Sequence, residues 1–392
     1  MPSDVLSVWK AVLRKDLRAL EERNLCRTLA EIRGINFCSN DYLGLAENPA
    51  LRQSVAESVG GAIRVGGTGS RLLSGQTGEW QDLEERFAEF AGTEAALFFT
   101  TGYAASLGLL ASLVGKDDVI YSDVLNHASL IDGMRLSGAR KVIYPHLDMA
   151  ALEHALRQDS GAPWRRVIVT ESVFSMDGDL APLGQLAELG EKYGAALIVD
   201  EAHATGVHGP AGRGLAVAAG IAGQVLASIH TCGKALGSAG GFVCGPGVLK
   251  DYLVNHARTF VFSTALPPYF ARQIAAALGM AITMDRERRE LVQRSARLAE
   301  QLKAAGFKTA GSASQIVPVV LGNVADTLDA ADYLQRDGFA VKAIRPPTVP
   351  DGSARLRLSL TSKIPEAELN RLVKSLNSWR FLRASAAVAK RA

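Results

Sequence analysis

The first apolar pattern of the chain lies close to its start. Between residues 4 and 23, apolar side chains recur at largely helical spacing, with charged residues such as Lys10 and Arg14 between them. The apolar positions are Val5, Leu6, Val8, Trp9, Val12, Leu13, Leu17 and Leu20. This spacing predicts an amphipathic helix, whose apolar stripe we expect to pack on the body of the protein or on a partner subunit.

From about residue 45 to 280, helical patterns alternate with short apolar runs that are typical of buried strands. Helical patterns include 79–91 and 182–193. Strands are predicted at 95–99, 118–121, 141–144, 166–170, 196–200, 225–230 and 241–244. Such alternation indicates right-handed crossovers, and therefore an α/β fold in which helices cover both faces of a mostly parallel sheet.

A second pattern follows the proline pair at 267–268. A long helical stretch covers 269–305, and strands near 315–321 and 355–360 follow it with a helix between them. A chain of 392 residues is long enough for a second, smaller domain. The predicted parts are an N-terminal helical segment over 1–44, a large domain over 45–281 and a C-terminal α+β domain over 282–392.

Composition narrows the classes of function. The 43 basic and 40 acidic residues leave a net charge of +3, which argues against the concentrated basic face of a nucleic-acid-binding protein. The four cysteines have no CxxC spacing, which favours reduced thiols and argues against a bound metal. Because no apolar run reaches transmembrane length and no apolar signal core is found, we predict a cytoplasmic protein without a membrane partner.

The candidate chemistry lies at the end of one predicted strand. Residues 195–199 are apolar and lead into Asp200 and His203, and Lys234 stands in a glycine-flanked loop further along. Alone, such an Asp often caps a helix and such a Lys is often solvated. Together they are what a pyridoxal phosphate (PLP) site requires, namely an acid that keeps the pyridine nitrogen protonated and a lysine that forms a Schiff base. In an open α/β sheet, ligands gather at the carboxyl ends of strands.

Five segments of the chain resemble the α-oxoamine synthases, which are PLP enzymes that condense an amino acid with an acyl thioester and release carbon dioxide. The segments are SNDYLGL at 39–45, GGTGSR at 66–71, NHAS at 126–129, VFSMDGD at 173–179 and DEAHATG at 200–206. The resemblance runs from about residue 37 to about residue 362. It implies a fold-type I PLP-dependent transferase with a large three-layer αβα domain, and PLP as the cofactor.

One further segment resembles a particular branch of this family. Residues 343–350, followed by Arg355 and Arg357, are similar to the branch that joins L-alanine to a pimeloyl thioester. The carrier of the pimeloyl group, coenzyme A or acyl carrier protein, stays open. A glycine-using member such as a 2-amino-3-ketobutyrate ligase is the alternative, and a non-catalytic partner subunit is disfavoured because Lys234 is retained.

The resemblance assigns roles around the cofactor ring. It implies that Lys234 carries PLP and moves the substrate Cα proton, and that Asp200 pairs with the pyridine nitrogen. His203 and Ser175 are implied as partners of the ring oxygen. His127 is implied to stack on the ring and to face the substrate, although a lone histidine is more often a satisfied surface or core residue.

The phosphate of PLP needs its own group of donors. Gly102 and Tyr103 open a predicted helix, whose N-terminal N–H groups and dipole favour a phosphate dianion. Thr231, in the lysine loop, is a second candidate. Thr264 resembles the family residue that reaches the phosphate from the neighbouring subunit, which implies a homodimer with shared active sites.

The remaining candidates bind substrate. Arg357 is predicted to hold the amino-acid carboxylate through a bidentate contact, with Asn40 assisting. Arg345 and Thr348 are predicted to face the acyl donor, and Arg27 resembles another substrate arginine of the family. For Arg345 the alternative is a bracing role in the turn at 346–347. Where relatives carry a histidine, this chain has Trp80.

Overall fold

A computed structural model describes residues 4–62, 64–159 and 165–389 of the chain, with side chains placed up to residue 385. Its helices are α1 (Val5–Glu22), α2 (Pro49–Gly60), α3 (Gly78–Ala91), α4 (Gly102–Leu113), α5 (Ala128–Ser137), α6 (Met149–Gln158), α7 (Leu183–Tyr193), α8 (Leu215–Ala218), α9 (Gly247–His256), α10 (Arg258–Val261), α11 (Pro268–Thr283), α12 (Asp285–Ala304), α13 (Val324–Arg336) and α14 (Glu366–Ala389). Its strands are β1 (Ile35–Asn36), β2 (Ala95–Phe99), β3 (Val119–Asp123), β4 (Arg140–Tyr144), β5 (Arg166–Glu171), β6 (Ala195–Asp200), β7 (Val225–Thr231), β8 (Gly241–Gly245), β9 (Ile316–Gly322), β10 (Phe339–Ala340), β11 (Lys342–Ile344) and β12 (Ala354–Ser359).

Seven strands form the large sheet, in the order β2-β8-β7-β6-β5-β3-β4. The strands from β7 to β4 in this order run parallel to one another, whereas β8 runs antiparallel to both of its neighbours. All seven strands predicted from the apolar runs are present. The α/β prediction with a mostly parallel sheet is therefore confirmed.

Strand β6 shows why this sheet is covered on both faces. Successive side chains of a strand point to opposite faces, so an uninterrupted apolar run buries two layers. Ile198 packs in a core that contains Leu109 of α4, and its neighbour Val199 packs in a separate core that contains Leu186 of α7. With apolar packing on both faces, only the strand ends are left for polar chemistry.

A second sheet of three antiparallel strands, in the order β11-β12-β9, belongs to the C-terminal part. The N-terminal segment lies next to this part: β1 pairs with β10 in a separate two-stranded sheet, and the Ser359 N–H of β12 donates to the Phe37 carbonyl at 2.9 Å. This pairing brings residues 37–42 beside β12. The exact domain boundaries stay predictions.

The long helical stretch predicted over 269–305 is present, but it consists of two helices, α11 and α12. The break is at Met284, where ψ is 42°. Arg288, near the start of α12, donates to the carbonyls of Ala281 and Ile282, so carbonyl groups at the end of α11 are satisfied without a continuous helix. Helical periodicity alone did not reveal this break.

Helix α1 forms as predicted, but its apolar stripe is not covered by the described chain. Val5 is 71% exposed, Trp9 61% and Leu13 57%. The prediction that this stripe packs on the body of the same chain is therefore wrong for these positions. Packing of the stripe on a partner subunit stays a prediction.

Among the described residues, no helix is both long and apolar enough to cross a membrane.

Candidate active site

Four charged or polar side chains meet where neighbouring parallel strands end. Glu171 ends β5, Asp200 ends β6 and Thr231 ends β7. Glu171 and Asp200 are direct partners in the strand register, and Asp200 pairs with Ile229 of the next strand. Lys234 follows Thr231 by one short loop. The fold thus brings the predicted acid and lysine together at the carboxyl edge of the sheet, where ligands bind in this class of fold.

The loop around Lys234 is held by its own backbone. The Gly237 N–H donates to the Lys234 carbonyl at 2.9 Å, and the Ser238 N–H donates to the Cys232 carbonyl at the same distance. Gly237 has a φ of 54°, and a Cβ there would lie 2.5 Å from the Ala46 nitrogen. Glycine is therefore required at this position, because both the left-handed backbone and the close approach exclude a side chain.

Lys234 is chemically perturbed by this environment. Burial lowers the pKa of Lys234 to about 8, and the charge of Arg357 acts in the same direction, whereas Asp200 and Glu171 oppose the shift. A substantial fraction of such an amine is neutral at physiological pH. A neutral amine can act as a nucleophile and as a proton acceptor, which an ordinary lysine cannot do efficiently.

Glu171 was not predicted as a site residue. It is 2% exposed, and its Oε2 accepts from the Ser175 N–H at 3.1 Å. Burial, together with the neighbouring charge of Asp200, raises the pKa of Glu171 well above its usual range. The sequence did contain a signal for Glu171. It ends the predicted strand next to β6, and the parallel register of the two strands places its carboxyl group beside Asp200.

His203 is fully enclosed and has a partner that the sequence did not indicate. The hydroxyl of Tyr42 lies 2.6 Å from His203 Nδ1, and Tyr42 itself is 0% exposed. Burial and the positive charges of Lys234 and Arg357 hold the pKa of His203 well below its usual range. His203 is therefore a neutral hydrogen-bonding group at the site. Tyr42 lies within the segment 39–45 that resembles the family.

Arg357, Asn40 and Ser175 form one connected group. Arg357 donates through Nε to the Ser175 carbonyl at 2.6 Å and through Nη1 to Asn40 Oδ1 at 3.0 Å. Asn40 Oδ1 also accepts from Ser359 Oγ at 3.2 Å and from the Tyr42 hydroxyl at 3.1 Å. These two bonds fix the orientation of the guanidinium. Because neither of them uses Nη2, its N–H groups can still donate to a ligand.

His127 stands at the rim of this group as the N-cap of α5. Its Nδ1 accepts from the Ser129 N–H at 3.2 Å, so in the neutral ring the proton belongs on Nε2. Partial burial and the charge of Lys234 lower the pKa of His127, and Asp200 opposes them. Its ring centroid is 6.4 Å from that of Tyr103. His127 is thus a neutral ring that carries its proton on Nε2, near both Lys234 and α4.

The start of α4 lies beside Thr231. A Cβ at Gly102 would be 3.2 Å from Thr231 Oγ1. Thr101 caps the helix, because its Oγ1 accepts from the Ala104 N–H at 2.9 Å. The Thr101 side chain accepts from Ala104 and not from Gly102 or Tyr103, so the N–H groups of these two residues can donate to a ligand. This helix end therefore presents donors and a positive dipole beside the lysine loop.

Thr264 is not brought to this group within one chain. It is exposed and pairs with Ser70 in a short bridge, and it lines a small cleft with Thr100. None of its described contacts involves Lys234. Its predicted contact from a second subunit remains a prediction.

Arg27, Arg345 and Thr348 form a second group. Arg27 Nη2 donates to Thr348 Oγ1 at 3.3 Å, and Arg345 Nη1 donates to the Asn24 carbonyl at 2.6 Å. Arg345 Nη2 also donates to the Cys26 carbonyl, at 3.3 Å. Arg345 therefore holds the segment that follows α1, rather than only the turn at 346–347.

A cavity of about 640 Å³ lies beside this second group and includes Thr348 in its lining. Its walls come from the end of α1 and the following segment, and from the loops at 124–126, 174–177 and 346–351. The lining residues are Leu20, Arg23, Leu25, Val124, Leu125, Asn126, Ile131, Phe174, Met176, Asp177, Pro346, Pro347, Thr348, Val349, Pro350 and Asp351. Most are apolar. The loop at 124–126 directly precedes His127, and the loop at 174–177 contains Ser175. The cavity has the size and lining of a small-molecule site.

Trp80 occupies the core below the glycine-rich segment. It is 0% exposed, and its ring stacks on Phe98 at a centroid distance of 4.4 Å. The Arg71 guanidinium lies 5.7 Å from the Trp80 ring centroid and forms a buried ion pair with Glu84 at 2.6 Å. In this chain, position 80 is therefore a packing position that supports the turn Arg71–Gly75.

Comparison with known proteins agrees with this geometry. The family profile "Aminotransferase class I and II" matches residues 32–376. The 8-amino-7-oxononanoate synthase of Citrifermentans bemidjiense is 45% identical over 370 residues, which cover 91% of this chain and 94% of that protein. The chain belongs to the 8-amino-7-oxononanoate synthase family. It is therefore a member of a family of PLP-dependent acyltransferases, and the predicted resemblance is confirmed.

Solved structures of this family and its relatives share the fold. Serine palmitoyltransferase from S. paucimobilis, solved with PLP and myriocin, matches with a TM-score of 0.87 at 27% identity, covering 96% of this chain and 98% of that one. The 8-amino-7-oxononanoate synthase from Francisella tularensis matches with a TM-score of 0.78 at 29% identity, covering 90% and 99%. The fold-type I architecture implied by the resemblance to the α-oxoamine synthases is thus confirmed for this chain.

Proposed function

We propose that this chain catalyses the decarboxylative condensation of L-alanine with a pimeloyl thioester to give 8-amino-7-oxononanoate in biotin biosynthesis, the product for which its relatives are named. The observation that carries the proposal is the position of Lys234. Its low-pKa amine and the Asp200 carboxylate lie beside Arg357, and the loops that lead into His127 and Ser175 wall a largely apolar cavity. The charged group of Lys234, Asp200 and Arg357 suits an amino acid, and the apolar cavity suits an acyl chain.

The residues present fit PLP. Lys234 would hold it covalently, Asp200 would face its pyridine nitrogen, and His203 with Ser175 would flank its ring oxygen. Thr231 and the N–H groups of Gly102 and Tyr103 form a cradle of suitable size and polarity for its phosphate, since a helix N-terminus attracts dianions. When bound, PLP withdraws electrons from the Cα of the amino acid attached to it.

The chain's own groups would then do the following work. Arg357, oriented by Asn40 and Ser175, binds the alanine carboxylate and fixes the Cα–H bond relative to Lys234. The Lys234 amine accepts that proton at Nζ and later returns a proton to carbon, because its lowered pKa suits both directions. His127 would stack on the cofactor ring and face the substrate, as the family resemblance implies. The apolar walls of the cavity exclude water from the acyl group.

Turnover with alanine, glycine and serine tests the amino-acid assignment. We expect efficient condensation with alanine alone, measured as thiol release from pimeloyl-coenzyme A and from pimeloyl acyl carrier protein in parallel. Preference for glycine would instead support a 2-amino-3-ketobutyrate ligase-like activity. Preference for one thioester identifies the physiological donor.

Substitution of Arg357 and Arg345 should separate the two substrates. Arg357→Ala is expected to raise the KM for alanine about tenfold to a hundredfold, because it leaves a carboxylate without its charged donor. Arg345→Ala is expected to raise the KM for the thioester instead, because Arg345 holds the segment 24–26 that walls the cavity. Steady-state kinetics with each substrate varied in turn gives both values.

The exposed Glu290 serves as the matched control for these variants, since its side chain pairs with Arg286 on the surface of α12. Glu290→Ala is expected to leave both KM values unchanged. If Arg345→Ala and Arg357→Ala change both KM values equally, then the assignment of separate amino-acid and acyl subsites is wrong.

We further propose a homodimer in which Thr264 of each chain completes the phosphate cradle of the other. Thr264 is exposed and has no described contact with Lys234 within its own chain, and the described residues leave the apolar stripe of α1 uncovered. Both features are explained by a second subunit. Sedimentation equilibrium is expected to give about twice the chain mass of 41.6 kDa. A monomer with full activity would contradict shared sites.

A further inference from the structure

A histidine between two carboxylates lies behind the cavity. His146 follows β4, and its Nδ1 is 2.9 Å from Asp123 Oδ1 while its Nε2 is 2.7 Å from Asp179 Oδ2. The ring also packs edge-on against Phe174 at a centroid distance of 4.5 Å. We call Asp123, His146 and Asp179 the His146 clamp. None of the three lines the cavity.

The hydrogen bonds of the His146 clamp require a charged ring. Ionised carboxylates only accept hydrogen bonds, and a neutral imidazole has a single N–H, so a neutral His146 could donate to one of them only. An imidazolium donates to both. Partial burial by itself would lower the pKa of His146, but the hydrogen bonds and charges of Asp123 and Asp179 outweigh it and raise the pKa to about 10.

Each carboxylate of the clamp belongs to a residue that adjoins a different wall of the cavity. Asp123 Oδ1 also accepts from the Leu125 N–H at 2.8 Å, which fixes the start of the loop at 124–126. The backbone of Asp179 closes the other loop, because the Phe174 N–H donates to the Asp179 carbonyl at 3.0 Å. That closed turn contains Ser175 and residues 176–177 of the cavity wall.

We propose that the His146 clamp is a positioning element that fixes the two cavity walls, 124–126 and 174–177, relative to each other and so sets the shape of the acyl-donor subsite. His146 itself is a positioning residue and touches no substrate. The identity of the subsite rests on the function proposed above. The geometry and charge of the clamp do not depend on that function, so the two can fail separately.

The clamp has a defined dependence on pH. The groups that face His146 are Asp123 from β3 and Asp179 from the turn after β5, and Tyr144 of β4 lies close to Asp123. Burial and the charge of Asp123 raise the pKa of Tyr144, so this phenol stays neutral. Because the folded-state pKa of His146 is above its unfolded value, the stabilisation by the clamp is complete below about pH 6.5 and is lost as the pH rises through about 10.

Nitrogen-15 NMR of histidine-labelled enzyme tests the charge state directly. We expect the His146 ring nitrogens of the PLP-loaded wild type to report an imidazolium at pH 8 and to titrate near pH 10. In Asp179→Asn, the amide oxygen can still accept from Nε2, but one of the two charges is gone. The pKa of His146 should therefore fall by about one to three pH units.

The function of the clamp is tested by kinetics on the same variant. At pH 9, Asp179→Asn is expected to raise the KM for the thioester about tenfold relative to wild type, with the KM for alanine changed less than twofold. At pH 6.5 the two enzymes should have similar values. His154→Gln, a surface change on α6 whose native partner is Gln158, is the control and should behave as wild type at both pH values.

Two results would overturn the proposal. A neutral His146 in the wild type at pH 8 would contradict the charged clamp. This measurement uses the wild type and so does not depend on whether a variant folds. The second result is an unchanged KM for the thioester in Asp179→Asn at pH 9, although the pKa of His146 has fallen. It would contradict the proposed effect of the clamp on the cavity. If the enzyme condenses other substrates than those proposed, the NMR result still decides the clamp.

Discussion

Lys234→Ala is expected to abolish the absorbance of the lysine-bound cofactor and to lower kcat by about a thousandfold or more, since a general acid–base group alone contributes 10²–10⁴-fold. Lys234 is placed both to carry PLP and to move the Cα proton. Its amine is the group whose pKa the site lowers to about 8. Removal of the side chain also leaves Asp200 and Glu171 without their nearby cation.

The control for this variant is Lys192→Ala, which removes a surface lysine paired with Glu153. It should retain wild-type absorbance and turnover. Added ethylamine should partly restore proton transfer to Lys234→Ala, because the missing group is an amine. A Lys234→Ala enzyme with near wild-type activity would show that the reaction does not use this residue.

Asp200→Asn should leave the fold intact and slow the loss of the alanine Cα proton by more than about a hundredfold, which corresponds to about 3 kcal/mol in the barrier. The amide can still accept from the Ala202 N–H, a bond that measures 2.8 Å, so the local turn is retained. The negative charge that would hold a proton on the pyridine nitrogen is lost. Exchange of the alanine Cα proton with deuterated solvent measures this step.

The same substitution has a second consequence that needs no bound cofactor. Since Asp200 raises the pKa of Lys234 and of Glu171, its neutralisation should lower both. Titration of the Lys234 amine in cofactor-free protein should therefore move below about pH 8. Asp200→Glu, which keeps the charge, is the control for both experiments. An unchanged exchange rate in Asp200→Asn would exclude Asp200 as the partner of the pyridine nitrogen.

The sequence predicted the sheet because its signals are local. Each strand of the large sheet is a short apolar run, and Asp200 and Lys234 are marked by the strand and the glycine-flanked loop that carry them. The break at Met284 was missed because the apolar spacing continues across it. The contact that permits the break, from Arg288 to the carbonyl of Ala281, is invisible to a periodicity argument.

The contacts that complete the site could not be predicted from spacing. Tyr42 reaches His203 across 161 positions of the chain, and Asn40 reaches Arg357 across 317. Such pairs depend on how the N-terminal segment pairs with the C-terminal sheet, which no local pattern specifies. The same limit applies to His146, whose partners lie on two other elements. Roles carried by the family resemblance, such as that of Thr264, depend on a second chain.

The most direct test of the proposed reaction is the product formed by purified, PLP-loaded enzyme from a mixture of alanine, glycine and serine with pimeloyl-coenzyme A or pimeloyl acyl carrier protein. Mass spectrometry should detect 8-amino-7-oxononanoate as the dominant product, with one carbon dioxide and one free thiol released per molecule. With alanine labelled by deuterium at Cα, the product should have lost that label. A dominant glycine-derived product, or a product that retains the alanine carboxylate, would contradict the account.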